Sequence, residues 1–328
     1  MKIAVIGGSG FIGTRLVDRL LQAEHEVKII DKNPSVAFTG NYEWGDVRDL
    51  DSLRRALVDS EIVVNLAAEH RDDVTPISLY DEVNVNGAAN VCKACAEANI
   101  NSIIFTSSVA VYGFAPLGTD EEGEIRFFND YGRTKFFAEQ EYRRWLADDP
   151  KNRSLTIVRP TVVFGERNRG NVYNLIKQIS SRFFVMIGSG RNVKSMAYVE
   201  NVAAFLQHCL ANEPGERLFN YVDKPDFDMN TLVWRVFELL GKRKSRVRIP
   251  YALGYATGRC FDAVAAITHK QLAISSIRIK KFCANTMFNA ENPKKVGFVP
   301  PISLEDGLAK TIKFEFIDKI EDQLFYSE

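Results

Sequence analysis

The chain has 328 residues, 46% of them apolar, and its Lys plus Arg and Asp plus Glu counts are both 42. That length exceeds the usual single core, so two domains or one large core with an appended lobe is expected, and the balanced charge leaves no global field to recruit nucleic acid. No secretory signal pattern opens it, the longest semi-apolar stretch, Tyr251 to Ile267, is broken by Gly254, Gly258, Arg259 and Asp262, and five cysteines form no disulfide framework, all of which fits a reducing cytoplasm.

The first element, Lys2-Ile3-Ala4-Val5-Ile6, is an apolar run too short for a helix. It leads into Gly7-Gly8-Ser9-Gly10-Phe11-Ile12-Gly13 and then into apolar residues at helical spacing, which predicts strand, tight turn and helix. Gly7 and Gly8 permit the turn, Gly10 lets the backbone approach a pyrophosphate, and Gly13 allows close packing of helix on strand. A second strand, Val27 to Ile30, ends on Asp31, where a carboxylate takes the hydroxyls of an adenosine ribose and repels a 2′-phosphate. NAD rather than NADP is the expected cofactor.

A third strand is expected near Tyr42 to Trp44, and Asp49 is placed to N-cap a helix running to about Val58. Ile62 to Leu66 reads as a buried strand, with Ala67-Ala68 keeping its end small against a cofactor. A long amphipathic stretch follows from about Leu79 to Ala98. Its Cys92-Lys93-Ala94-Cys95 has redox or zinc spacing but no second Cys/His pair, so two buried helix residues are expected. The histidines, His25, His70, His208 and His269, lack metal-ligand spacing, and no metal is expected; His70 alone lies after a strand, where open α/β sheets bind ligands. The strand Ser102 to Thr106 ends in Ser107-Ser108, a helix begins near Tyr131, and the strand Leu155 to Arg159 is closed by Pro160.

This alternation predicts an α/β fold with a Rossmann-type doubly wound parallel sheet, its cofactor domain spanning 1–165. From Gly165 the character changes, with breaks at Pro214, Pro225 and Pro250, so a smaller C-terminal substrate-binding lobe is expected over 166–328, some of it packing back on the first domain. Within it Lys242-Arg243-Lys244-Ser245-Arg246-Val247-Arg248 precedes the semi-apolar Ile249 to Ile267. The run reads equally as a solvated turn before a core helix and as a surface contact.

Tyr131 and Lys135 stand four residues apart, hence on one face of a helix. A free phenol has a pKa of about 10, so a tyrosine base near neutrality needs roughly 4 kcal/mol of help, which a neighbouring cation and NAD+ supply. Ser107 and Ser108 end a strand at the edge where the cofactor is expected, and a serine there can bond the substrate oxygen that the tyrosine deprotonates.

With these pieces in order, joined by Gly45-Asp46-Val47, Asn65-Leu66-Ala67-Ala68, Asn84-Val85-Asn86-Gly87, Val109-Ala110-Val111-Tyr112-Gly113 and Arg159-Pro160, the chain resembles the extended short-chain dehydrogenase/reductase family. The resemblance implies a catalytic trio of Ser108, Tyr131 and Lys135. It implies NAD held by Gly7, Gly10, Phe11, Ile12, Gly13, Asp31, Lys32, Asp46, Val47, Leu66, Ala67, Ala68, Asn84, Tyr131, Lys135 and Pro160. The family's dehydratases carry an Asp-Glu pair where this chain has Val109 and Ala110, so elimination lacks its proton donor and reversible use of tightly held NAD remains.

The stretches Ala67 to Val74, Phe105 to Gly113, Arg159 to Thr161, Phe164 to Leu175, Lys194 to Val199, Tyr221 to Pro225 and Lys281 to Ala284 look like the bacterial 4-epimerases of N-acetylglucosaminyl-diphospho-undecaprenol. That likeness implies a sugar carried on a polyprenyl diphosphate, in O-antigen or related surface-polysaccharide assembly. It also implies a homodimer through the helices from Ala88 and from Tyr131, and a cytoplasmic enzyme in peripheral contact with the membrane. The substrate residues so implied are Ser108, Tyr131, Arg167, Arg169, Asn171 and Lys194. Lys194-Ser195 stands where UDP-hexose epimerases usually have Arg-Asp, which removes a planar diphosphate clamp and leaves a point charge. The competing readings are a UDP-glucose or UDP-N-acetylglucosamine 4-epimerase, a nucleotide-sugar reductase, and a nucleotide-sensing binding protein; the last needs neither Ser108 nor a tuned phenol.

Overall fold

The computed structural model describes residues 1–71, 74–181, 184–210, 213–243, 247–268, 275–320 and 324–325. Its first half alternates β1 (Lys2–Ile6), α1 (Phe11–Gln22), β2 (Glu26–Asp31), β3 (Tyr42–Trp44), α2 (Leu50–Ala56) and β4 (Ile62–Asn65). There follow α3 (Ser78–Tyr80), α4 (Gly87–Glu97), β5 (Ser102–Thr106), α5 (Asp130–Asp148) and β6 (Ser154–Pro160). Asp49 caps α2 as its position predicts, accepting from the N–H groups of Asp51 and Ser52 at 3.0 and 3.2 Å, worth about 1 kcal/mol. The helix stops at Ala56, short of Val58, where Lys28 Nζ takes the carbonyls of both residues.

Within the amphipathic stretch from Leu79, a π-helical turn, Asp81–Asn86, separates α3 from α4. This wider turn contains buried Asn84, whose side chain bonds both backbone groups of Glu69 and the hydroxyl of Thr134. Cys92 and Cys95 are buried in α4, and burial raises both thiols, holding them protonated.

The second half adds β7 (Val162–Phe164), α6 (Asn171–Ser180), β8 (Met186–Ile187), β9 (Val193–Lys194), β10 (Met196–Tyr198), α7 (Val199–His208) and β11 (Gly215–Tyr221). After these come β12 (Phe227–Asp228), α8 (Met229–Leu239), β13 (Arg248–Ile249), α9 (Tyr251–Thr268), α10 (Ser276–Cys283), α11 (Glu291–Lys295) and α12 (Leu304–Ile312). The main sheet has the order β11-β6-β5-β4-β1-β2-β3 and is parallel throughout. Alternation along β1 sends Ile3 and Val5 to the core under α1 and α7, and Ala4 and Ile6 to the core under α2, α4 and α5. Strand order reverses between β1 and β4, and the crevice beyond their carboxyl ends is where such sheets bind ligands. A further core joins α6, α8, α12 and β10. A small cluster of Val111, Tyr112, Val222, Phe288 and Ala290 ties the later segments to the chain just after Ser108.

Candidate active site

The glycine turn closes to backbone contact. Gly7 has φ +78°, and a Cβ there would lie 2.7 Å from the nitrogen of Ala67; at Gly13 it would lie 2.4 Å from the carbonyl oxygen of Gly7. Gly10 gives the first turn of α1 no side-chain cap, so its N–H groups are left for an anion. At the end of β2, Asp31 accepts from the N–H groups of Ser9 at 3.2 Å and Asn33 at 3.0 Å, which fixes both carboxylate oxygens. Burial raises its pKa and these two bonds oppose the rise. Asp46 is held by a bidentate pair from Arg48, Val47 is buried beside it, and Lys32 is exposed. Leu66, Ala67 and Ala68 follow β4, Pro160 ends β6, and Phe11 and Ile12 are half-buried in the first turn of α1. These residues fit a dinucleotide.

Across the crevice from the glycine turn stand Ser108, whose Oγ accepts from the N–H of Ala110 at 3.1 Å, and Tyr131. Tyr131 keeps partial exposure, yet loss of water around it pushes its pKa up to about 12, against the serine side chain, which lowers it. Lys135, one turn further along α5 and 2% exposed, has its Nζ 4.2 Å from the centre of the Phe105 ring. Burial pushes it down to about 7, against the opposing charge of Glu139.

Glu139 leads to a group that sequence reasoning missed. Its side chain is fully buried and accepts from Ser107 Oγ at 2.6 Å and from Arg159 at 2.8 and 2.5 Å. Arg159 also donates to Tyr112 Oη at 2.6 Å, and Tyr112 donates to Asn220 Oδ1 at 3.0 Å. Burial works against the guanidinium charge, but Glu139 overcomes it and raises the pKa of Arg159. The network joins α5, β5, β6, β11 and the turn after Ser108, so it fixes Tyr131 and Lys135 relative to the serine. A signal was present: Glu139 lies on the buried stripe of α5 with Lys135, Ala138 and Tyr142, where an unpaired carboxylate is too costly.

The expected substrate residues fall in two places. Arg169 is paired with Glu315 at 3.1 Å and lies over Tyr173, Arg167 donates its N–H to Glu315 at 2.8 Å, and Asn171 is the exposed first residue of α6. This segment is bound to α1 through Arg15, which donates to the carbonyl of Glu166 at 2.9 Å. Lys194 is set apart on β9, where burial pushes it down to about 8. Next to it Ser195 donates to Asp226 at 2.7 Å and accepts from the N–H of Phe288 at 3.1 Å, and the Phe288 ring lies 5.9 Å from that of Tyr112. Lys194 thus belongs to the part of the lobe that reaches the serine turn. His70 is exposed after β4, with Nδ1 3.5 Å from the carbonyl of Ala68; His269, Asp72 and Asp73 lie outside the described residues. Among the described residues there is no group of three or more His, Cys, Asp or Glu that could hold a metal ion.

Residues 3–221 match the model of the NAD dependent epimerase/dehydratase family. The chain belongs to that family, and its cofactor is NAD. It is 48% identical to the N-acetyl-alpha-D-glucosaminyl-diphospho-ditrans,octacis-undecaprenol 4-epimerase of Escherichia coli O157:H7, an alignment covering 100% of this chain and 99% of that one. It is 27% identical to the decarboxylating sterol-4-alpha-carboxylate 3-dehydrogenase of Saccharomyces cerevisiae, over 95% and 97% of the two chains. The UDP-glucose 4-epimerase of Thermotoga maritima shares the fold, with a TM-score of 0.76 at 22% identity over 98% and 100% of the chains.

Proposed function

We propose that the protein is an NAD-dependent 4-epimerase that interconverts N-acetylglucosaminyl and N-acetylgalactosaminyl groups on a polyprenyl diphosphate. The observation that carries this reading is the 48% identity over the whole length of the E. coli enzyme named for that reaction. The site supports it. NAD, when bound, supplies the acceptor and donor of hydride. Tyr131 as phenolate takes the proton of the sugar 4-hydroxyl and returns it, Ser108 bonds the same oxygen, and the Lys135 ammonium lowers the cost of the phenolate. Val109 and Ala110 offer no acid or base for eliminating water. Lys194 serves the diphosphate as a point charge. The enzyme works as a homodimer through α4 and α5, at the inner face of the membrane, in surface-polysaccharide assembly.

The test is to offer pure protein N-acetylglucosamine linked to polyprenyl diphosphate and, separately, to UDP, then identify the sugar after acid release. N-acetylgalactosamine is expected from the lipid-linked substrate without added NADH. Conversion of the UDP-sugar alone overturns the substrate assignment, and stoichiometric consumption of NADH overturns epimerisation. Asp31 is proposed to hold the adenosine ribose. Asp31→Ser should weaken NAD+ binding roughly 10- to 100-fold and relax discrimination against NADP+, as fluorescence titration of both cofactors will read. Tighter binding of NADP+ by the wild type contradicts that role.

A further inference from the structure

Helix α9 has its polarity reversed. A Cβ at Gly254 would lie 2.7 Å from Ile187 Cγ2, and one at Gly258 would lie 2.8 Å from Ser276 Cα, so both glycines face the protein. One turn on, the Asp262 carboxylate accepts from the N–H of Ser276 at 3.2 and 3.3 Å. Glycines and an acid thus occupy the packed face, while Leu253, Phe261 and Val264 are 59%, 37% and 48% exposed and Ile277 of α10 is 43% exposed. A surface helix ordinarily does the opposite, and an apolar face left outward needs a partner.

Charge identifies that partner. Between residues 241 and 284 there are ten Lys/Arg and one acid, Asp262, in a chain whose opposite charges are equal at 42. Among them Arg243, Arg259 and Lys280 are exposed. A second copy seated on this face would set like charges against each other, whereas an anionic lipid surface complements them. The face is also continuous with the active site. Lys280 Nζ lies 5.2 Å from the Phe114 ring, which meets Phe128 edge-on at 4.6 Å; both phenylalanines are about half exposed, and Phe114 stands two residues beyond Tyr112.

We propose that α9 and α10 form a membrane-docking element. The apolar outer face of the pair enters the interface of an anionic bilayer, its Lys and Arg residues bind the headgroups, and Phe114 and Phe128 border the path from bilayer to serine turn. The helix lies in the interface: among the described residues no helix is long and apolar enough to cross a membrane. Of the basic run expected as the contact, Lys244, Ser245 and Arg246 lie outside the described residues, and Arg248 bonds Ser189 and Asn230. The hairpin rather than the run carries the proposal, which rests on the lipid-linked reading of the substrate.

The test is flotation of the full chain, with NAD and without sugar, on vesicles of phosphatidylglycerol with phosphatidylethanolamine and on vesicles of phosphatidylcholine. Binding to the first set only is expected, weakened by salt. Leu253→Ser with Phe261→Ser and Val264→Ser should lower it at least about tenfold. Arg259→Gln with Lys280→Gln should lower it about fivefold per charge. Unchanged Tm and unchanged turnover of a short-chain soluble substrate will show that both variants fold. Absence of wild-type binding, or binding by both variants equal to wild type, overturns the proposal. So does a serine variant that sediments as a smaller species yet still floats. Because no sugar is present, docking can fail while the lipid-linked sugar is converted, and can hold when only UDP-sugar is converted.

Discussion

Replacement of Tyr131 by phenylalanine should lower turnover about 10³-fold and leave NAD binding nearly unchanged. The ring and its packing survive, and only the proton acceptor is lost. The surroundings of Tyr131 hold its pKa near 12, so the phenolate needs Lys135 as a cation and the positive charge that NAD+ brings. The active form is the deprotonated one, so kcat of the wild type should rise with pH until the phenol has ionised, and the residual rate of Tyr131→Phe should lose that rise. Stopped assays across pH, beside cofactor titration, decide the matter. An equal loss of NAD affinity would make Tyr131 a binding residue and remove it from the chemistry.

The second large effect is expected at Glu139. Its partner Arg159 has a side chain only 3% exposed, so Glu139→Ala leaves a guanidinium buried without its counter-charge and should cost about 3–5 kcal/mol of stability. Replacing both partners by Glu139→Leu and Arg159→Met removes that penalty and should recover much of the Tm. Activity should not return with it, because Ser107 and Tyr112 lose the contacts that hold the serine turn to α5. Denaturant unfolding and kcat on the three proteins separate the two roles. A double variant with wild-type turnover would make the pair a matter of stability alone.

Local signals made the cofactor half legible. Glycines at 7, 10 and 13, strands of alternating packing and Asp31 at a strand end are each properties of a few adjacent residues, and the parallel sheet follows from their repetition. Tyr131 and Lys135 were visible because a helix turns sequence spacing into proximity. The Glu139 network was not, since its members lie on five segments whose meeting depends on β5, β6 and β11 being neighbours. In the second lobe, strands such as β8, β9, β12 and β13 are two residues long, too short for any periodicity to show. Arg169 illustrates the remaining limit: sequence supplied its charge, but not Glu315, more than a hundred residues away, which takes that charge up.

The position of β11 bears on how such an enzyme is made and how it can change. Its seven residues pair with β6, yet they follow α6, α7 and β10 in the chain. As the polypeptide leaves the ribosome, β6 must wait with one edge open, although all seven of its own residues are destined for burial, until residue 221 has emerged. The same threading defeats cassette exchange. A lobe taken from a relative at residue 165 brings a foreign edge strand into the cofactor sheet, so new specificity in this architecture must arise by substitution within the lobe rather than by transplanting it.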